Sequence, residues 1–351
     1  MTARRTVLKC GVSAINFLKI SIMNEHHSRR NFLKRATLLP FCAATVVGEL
    51  PAVAKDPIKR AGGSALKVSL NAYSFSKLLN DQNRGRGKGI SLFDLLDFCA
   101  KYNFDGVDPT GYFFPTYPAV PPDDYVNNLK RRAFELGIGI SGTGVRNNFT
   151  VPDKAKRAAD VQHIKQWVEV ASRLGAPVLR VFADTQMRGQ SWQTVAPNNS
   201  RDDVETWIAE NLKECAEHGK KYGVIIGVQN HGDFLKTGDN LLSLISRVNS
   251  DWCGAIVDTG YFRSEDPYKD MAKVAPYAVN WQIKQSPLGV ESEVTCPTDL
   301  KKLLKLIRGS GYRGYLPIET LSIKDKPEGY DPFTVVPKFL KELRDAIAQT
   351  A

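Results

Sequence analysis

The chain has 351 residues, with 48 Lys and Arg against 37 Asp and Glu, a formal charge of +11. Most of that excess is local, because residues 1–54 hold eight basic and two acidic residues and the rest holds 40 against 35. So mild a surplus, with no basic cluster interleaved with aromatics, argues against a nucleic-acid surface and suits an anionic substrate only weakly.

The first segment reads as an address. Ser28-Arg29-Arg30-Asn31-Phe32-Leu33-Lys34 is a twin-arginine export signature, followed by an apolar run from Ala36 to Val47 that is too short to span a membrane. The run ends in Ala52-Val53-Ala54, the small-residue arrangement that signal peptidase reads, so the mature chain is expected from Lys55. Met1 and Met23 both remain open as starts, and Phe41 before Cys42 argues against a lipoprotein attachment site. The competing reading of this segment is a basic amphipathic surface helix. A twin-arginine signal implies the export machinery as a partner of the precursor and a periplasmic or otherwise exported protein. Residues 55–65 read as a linker, and 66–351 as one domain, since about 297 residues fit one large α/β unit better than two ordinary ones.

From Leu66 onward, short apolar β-branched runs alternate with amphipathic stretches, the pattern of successive βα units. The expected strands are Leu66–Tyr73, Gly106–Pro109, Ile138–Gly144, Val178–Ala183, Val224–His231, Gly254–Asp258, Val279–Lys284 and Tyr315–Thr320. The expected helices are Leu92–Tyr102, Asp124–Leu136, Lys154–Leu174, Asp202–Tyr222, Asn240–Val248, Tyr268–Val274, Thr298–Ile307 and Val335–Ala348. Gly137, Gly175, Gly223 and Gly311 each follow an apolar face where a left-handed helix cap is cheap. Eight units in one series favour a closed (β/α)₈ TIM barrel over a doubly wound sheet, and place functional residues at the strands' C-terminal ends. Cys99, Cys215, Cys253 and Cys296 lack any C-x-x-C spacing and read as buried thiols.

Four motifs stand at successive strand ends: Val228-Gln229-Asn230-His231, Val257-Asp258-Thr259-Gly260, Trp281-Gln282-Ile283-Lys284 and Pro317-Ile318-Glu319-Thr320. In order and spacing they resemble the sugar phosphate isomerase/epimerase family of xylose-isomerase-like TIM barrels, whose usual text is E-N-H, D-x-G, H-x-K and I-E. The resemblance implies a divalent metal, Mn²⁺ or Mg²⁺, on Gln229, Asp258, Gln282 and Glu319, two of which depart from the family's Glu and His. Gln229 stands where a glutamate base belongs, and a glutamine cannot take that proton.

His231 is the sole histidine at a strand end, since His163 and His218 fall within helices, and it is a candidate acid/base beside Glu319. So few histidines cannot supply the three-zinc cluster of the DNA-repair endonucleases that share this fold. Lys284 matches the lysine of H-x-K and could stabilise an enediolate oxygen. Asn230, Arg146, Arg180, Asp108 and Tyr112 are the candidate substrate contacts, Arg180 having the alternative of pairing with a buried carboxylate. The aromatic loop from Thr110 to Pro118 reads as a sugar-stacking wall or a hydrophobic lid.

These residues imply an exported isomerase/epimerase-like enzyme that abstracts a proton next to a carbonyl of a sugar or keto-sugar with metal assistance. Lyase chemistry on a 3-keto-glycoside needs the same carbanion and stays open. So does a carbohydrate-binding barrel that has lost turnover, and a homo-oligomer is possible in either case.

Overall fold

The computed structural model describes residues 55–187, 189–285, 298–321 and 329–351. The leader expected over 1–54 and Cys296 lie outside the described residues. The strands are β1 (Ala65–Asn71), β2 (Gly106–Asp108), β3 (Gly139–Ile140), β4 (Thr143–Gly144), β5 (Val178–Phe182), β6 (Ile225–Gln229), β7 (Cys253–Asp258), β8 (Ala278–Lys284) and β9 (Arg313–Glu319). All pair in parallel, in the order β3-β2-β1-β9-β8-β7-β6-β5-β4.

The two ends of that order are one interrupted strand. Residues 138–144 were expected as a single run, but Ser141 and Gly142 leave the ladder. Asn280, from the opposite side of the barrel, donates to Ser141 O at 3.1 Å. A Cβ on Gly142 would lie 3.2 Å from Asn280 Nδ2 and 3.3 Å from the Asp108 carboxylate, a tight fit that glycine relieves. Ser141 N still bonds to Val107 O and Val145 N to Arg180 O, so the chain switches partner across the break and nearly closes the ring.

Outside the strands run α1 (Ser76–Asn83), α2 (Leu92–Lys101), α3 (Asp123–Glu135), α4 (Lys154–Leu174), α5 (Trp192–Val195), α6 (Arg201–Tyr222), α7 (Gly238–Val248), α8 (Pro267–Val274), α9 (Leu300–Gly309) and α10 (Pro332–Gln349). Their starts follow capping chemistry: Ser91 with Asp94 and Ser200 with Asp203 form reciprocal capping boxes. α4 and α6 stop at Gly175 and Gly223, whose φ of 85° and 70° give the left-handed caps read from the sequence. α1 and α5 went unforeseen. The first strand was expected to reach Tyr73, but Asn71 Oδ1 accepts from Tyr73 N at 2.8 Å and turns the chain into a short 3₁₀ segment leading to α1. Cys99, Cys215 and Cys253 are free and buried, and burial pushes the Cys253 thiol up to about 12.

Candidate active site

Sheet register brings the site together. Asp258 pairs with Gln282, Lys284 with Glu319 and Asn71 with Asp108, so adjacent strands end at one level and present polar side chains to one face. Lys284, only 3% exposed, donates to Glu319 Oε1 and lies 3.5 Å from Asp258 Oδ2. Gln229 Nε2 donates to Asp258 Oδ2 and Gln282 Nε2 to Glu319 Oε2, each at 2.5 Å. Gly260 N donates to Asp258 Oδ1 at 2.9 Å.

A chain of bonds fixes one of these amides. The Tyr73 backbone N–H holds Asn71 Oδ1, which turns Asn71 Nδ2 to donate to Gln282 Oε1 at 3.1 Å. Gln282 must then present its nitrogen to Glu319. Burial raises the Asp258 carboxyl above its ordinary range despite the ammonium beside it, with Glu319 adding to the rise. Burial opposes the charge on Lys284, but Asp258 and Glu319 overcome it and hold its affinity for the proton above the ordinary value.

These residues border a cavity of about 630 Å³. Glu319, Lys284, Gln282 and Gln229 line it, whereas Asp258 lies behind them. Across the cavity Arg180 donates to Tyr112 Oη and, at 2.9 Å, to Val145 O, and its guanidinium lies 4.1 Å from the Phe182 ring centre. Gly144 makes room for it, since a Cβ there would fall 2.7 Å from Arg180 Nε. The Arg146 guanidinium also lies over the Tyr112 ring, 4.8 Å from its centre. His231 lines the cavity and stacks on Tyr261, with ring centres 4.0 Å apart.

Two expected substrate contacts are placed elsewhere. Asn230 is fully buried and bonds reciprocally with the Asp258 backbone, donating to its O at 2.9 Å and accepting from its N at 2.7 Å. It locks β6 to β7. Asp108 is buried and does not line the cavity, and it accepts from Thr110 Oγ1 at 3.1 Å; burial raises its carboxyl to about 6, with Arg180 working the other way. Arg180 bonds to a phenol and a carbonyl, not directly to a carboxylate. Sequence reasoning missed Tyr261 and Phe182 in the wall, although Tyr261 directly follows the Asp258-Thr259-Gly260 motif and an aromatic there was a readable signal.

The resemblance implies a metal on Gln229, Asp258, Gln282 and Glu319. The four side chains converge, but in this arrangement they do not fit a divalent ion. A carboxylate oxygen can only accept, so an amide 2.5 Å away must offer it nitrogen, and both glutamines do. Lys284 already holds the positive charge between the two acids. An ion would need the amides reversed and the ammonium displaced, against the anchor that Asn71 gives Gln282.

The family model of the xylose isomerase-like TIM barrel matches residues 96–334, and the chain belongs to that family. The fold resembles that of 3-keto-D-glucoside 4-epimerase YcjR from E. coli, at 13% identity and a TM-score of 0.61 over 80% of this chain and 99% of that one. D-psicose 3-epimerase from Clostridium cellulolyticum H10, solved with D-tagatose, aligns at 13% identity and a TM-score of 0.62, covering 81% of this chain and 98% of that one. A sugar phosphate isomerase/epimerase from Parabacteroides distasonis aligns at 18% identity and a TM-score of 0.56, over 85% of this chain and 99% of that one. At these identities the likeness is one of fold. No curated protein matches the sequence.

Proposed function

We propose that this protein is an isomerase or epimerase acting on a sugar or keto-sugar by moving a proton at the carbon next to a carbonyl. The observation that carries the reading is the pair facing the cavity: a carboxylate, Glu319, joined to a buried ammonium, Lys284. Removing a proton from such a carbon leaves negative charge on the neighbouring oxygen. Glu319 is the base in this reading. As it takes the proton, its charge passes to the substrate oxygen, so Lys284 faces a negative oxygen before and after the step and little reorganisation is needed. Gln229 and Gln282 hold the two carboxylates in place. His231, on the wall formed with Phe182 and Tyr261, is the group that returns or delivers a proton from another direction.

Elimination from a 3-keto-glycoside is the second reading, favoured by Gln229. Epimerisation through two carboxylate bases has lost one of them, whereas elimination needs one base and one acid, which Glu319 and His231 supply. The twin-arginine text adds the proposal that either reaction takes place outside the cytoplasm.

The reading is tested by incubating the protein with ketohexoses and 3-keto-glucosides in deuterated water. Solvent deuterium should enter the carbon next to the carbonyl, and Glu319→Gln should abolish its entry. If no sugar of the panel exchanges or turns over, the proton-transfer reading fails.

A further inference from the structure

A second cavity, of about 650 Å³, opens beside the first and shares Tyr73, Ser76, Tyr112 and Arg146 with it. Each volume lies within the roughly 300–1,000 Å³ that encloses a drug-sized ligand. A single sugar bound at Glu319 and Lys284 would therefore leave the outer cavity open. Among the described residues its border carries Lys77, Arg84, Arg86 and Arg146 against one acid, Asp81. Asp81 answers part of that charge, lying 2.6 Å from Lys77 and 3.6 Å from Arg86, and a surplus of cations remains.

The cations come from a built loop. Behind α1 the chain reads Arg84-Gly85-Arg86-Gly87-Lys88-Gly89. Gly85 and Gly87 have φ of 60° and 83°, which lets the loop turn tightly with its side chains outward. Gly89 is pressed onto α1, where a Cβ would lie 2.3 Å from Gln82 N. Arg86 N bonds to Asp81 O at 2.8 Å and Ile90 N to Leu78 O at 3.3 Å, which ties both ends of the loop to the helix. Tyr112 and Tyr117 pack edge to face at 5.7 Å on the opposite side, and Arg146 lies over Tyr112.

Aromatic rings offer stacking faces to the C–H surface of a sugar, and guanidinium groups grip oxyanions in a forked geometry. We propose that the outer cavity is a second sugar subsite, and that the substrate is a glycoside of at least two units whose outer unit carries an oxyanion held by Arg84, Arg86 and Arg146. A uronate carboxylate and a sulfate ester share that chemistry. The proposal rests on reading the inner cavity as a sugar site, and it assigns the inner cavity to the reacting unit and the outer one to its neighbour.

Calorimetry with the full-length protein tests it, using cellobiose, the corresponding disaccharide bearing a glucuronate unit, and cellobiose 6-sulfate. Charge-assisted bonds to a guanidinium should make one or both anionic forms bind at least about tenfold more tightly than cellobiose. The preference should weaken as salt is raised. It should disappear in Arg84→Ala/Arg86→Ala, whose side chains are exposed. The better of the two anions identifies the substituent. Equal affinity for neutral and anionic disaccharides overturns the proposal, as does a preference that survives the double variant. Deuterium exchange with monosaccharides but no binding of any disaccharide overturns the subsite and leaves the proton-transfer reading standing. An anion preference lost in the double variant, with no exchange on any sugar, supports the subsite and removes the proposed reaction.

Discussion

Along one side of the inner cavity, β6 to β9 deliver two carboxylates, two amides and an ammonium whose positions follow from strand register. At the outer cavity, a glycine-rich loop and the aromatic segment after β2 deliver cations and rings. The two regions handle charge in opposite ways. In the first, each charge is buried and answered by a neighbour, as Lys284 is by Glu319 and Asp258. In the second, Arg84, Arg86 and Arg146 are exposed, and among the described residues Asp81, paired with Lys77 and near Arg86, is the one acid along the border. An arrangement that answers its own charges is suited to shifting a proton, because charge can move within it without water. One that leaves cations facing solvent is suited to attracting and orienting a ligand.

The sharpest way to break this contrast is Lys284→Met. It leaves Asp258 and Glu319 buried without a counter-charge, and losing one member of a buried ion pair costs about 3–5 kcal/mol. Urea unfolding should register a loss of that order. Deuterium exchange should fall by about 10²–10³-fold, the usual cost of removing one donor to a developing oxyanion. An unfolding midpoint unchanged from wild type would mean that the three groups do not form one unit.

A second test asks whether the ammonium holds the place of an ion. Calorimetric titration with Mn²⁺ or Mg²⁺ is expected to show no saturable binding to the wild-type protein at millimolar metal. Lys284→Met/Gln229→Glu, which removes the ammonium and adds a carboxylate, should bind Mn²⁺ one to one. Saturable binding to wild type that is lost in both Asp258→Ala and Glu319→Ala would instead establish the four-residue metal site and replace Lys284 as the main charge partner.

Much of this was legible in the sequence. All eight strand positions could be read because apolar alternation and the glycines that end the preceding helices are local signals, and the four motifs reach one face as their spacing implied. What escaped depends on neighbours brought in by the fold. Asn230 adjoins Gln229 in sequence, but its amide is spent on the Asp258 backbone of the next strand, which no text shows. That Lys284 pairs with Glu319, 35 residues away, depends on the register of β8 and β9. The basic run at 84–89 carries no aromatic of its own, and Tyr73, Tyr112 and Tyr117 reach its cavity from other parts of the chain. The divalent ion was inferred from family text. The two glutamines kept the positions of that text, but here their nitrogens face the acids.

The smallest effect expected separates Asp108 from the residues that line the cavity. Its carboxyl is buried, accepts from Thr110 and feels Arg180 and Glu319, and burial wins, raising it from 3.8 to about 6. A carboxyl that holds its proton more tightly when folded contributes stability that is fully present below its unfolded value. That contribution is lost as pH rises through the folded one. Relative to Asp108→Asn, which cannot ionise, the wild-type protein should therefore lose stability between about pH 4 and pH 7, by on the order of 2 kcal/mol. Urea unfolding of both proteins across that range measures it. A difference that stays constant with pH would show that Arg180 cancels the effect of burial and leaves the Asp108 carboxyl at its unfolded value. A difference of the opposite sign would make the pair a net stabilising ion pair and place Asp108 with the charge-answered residues around Lys284.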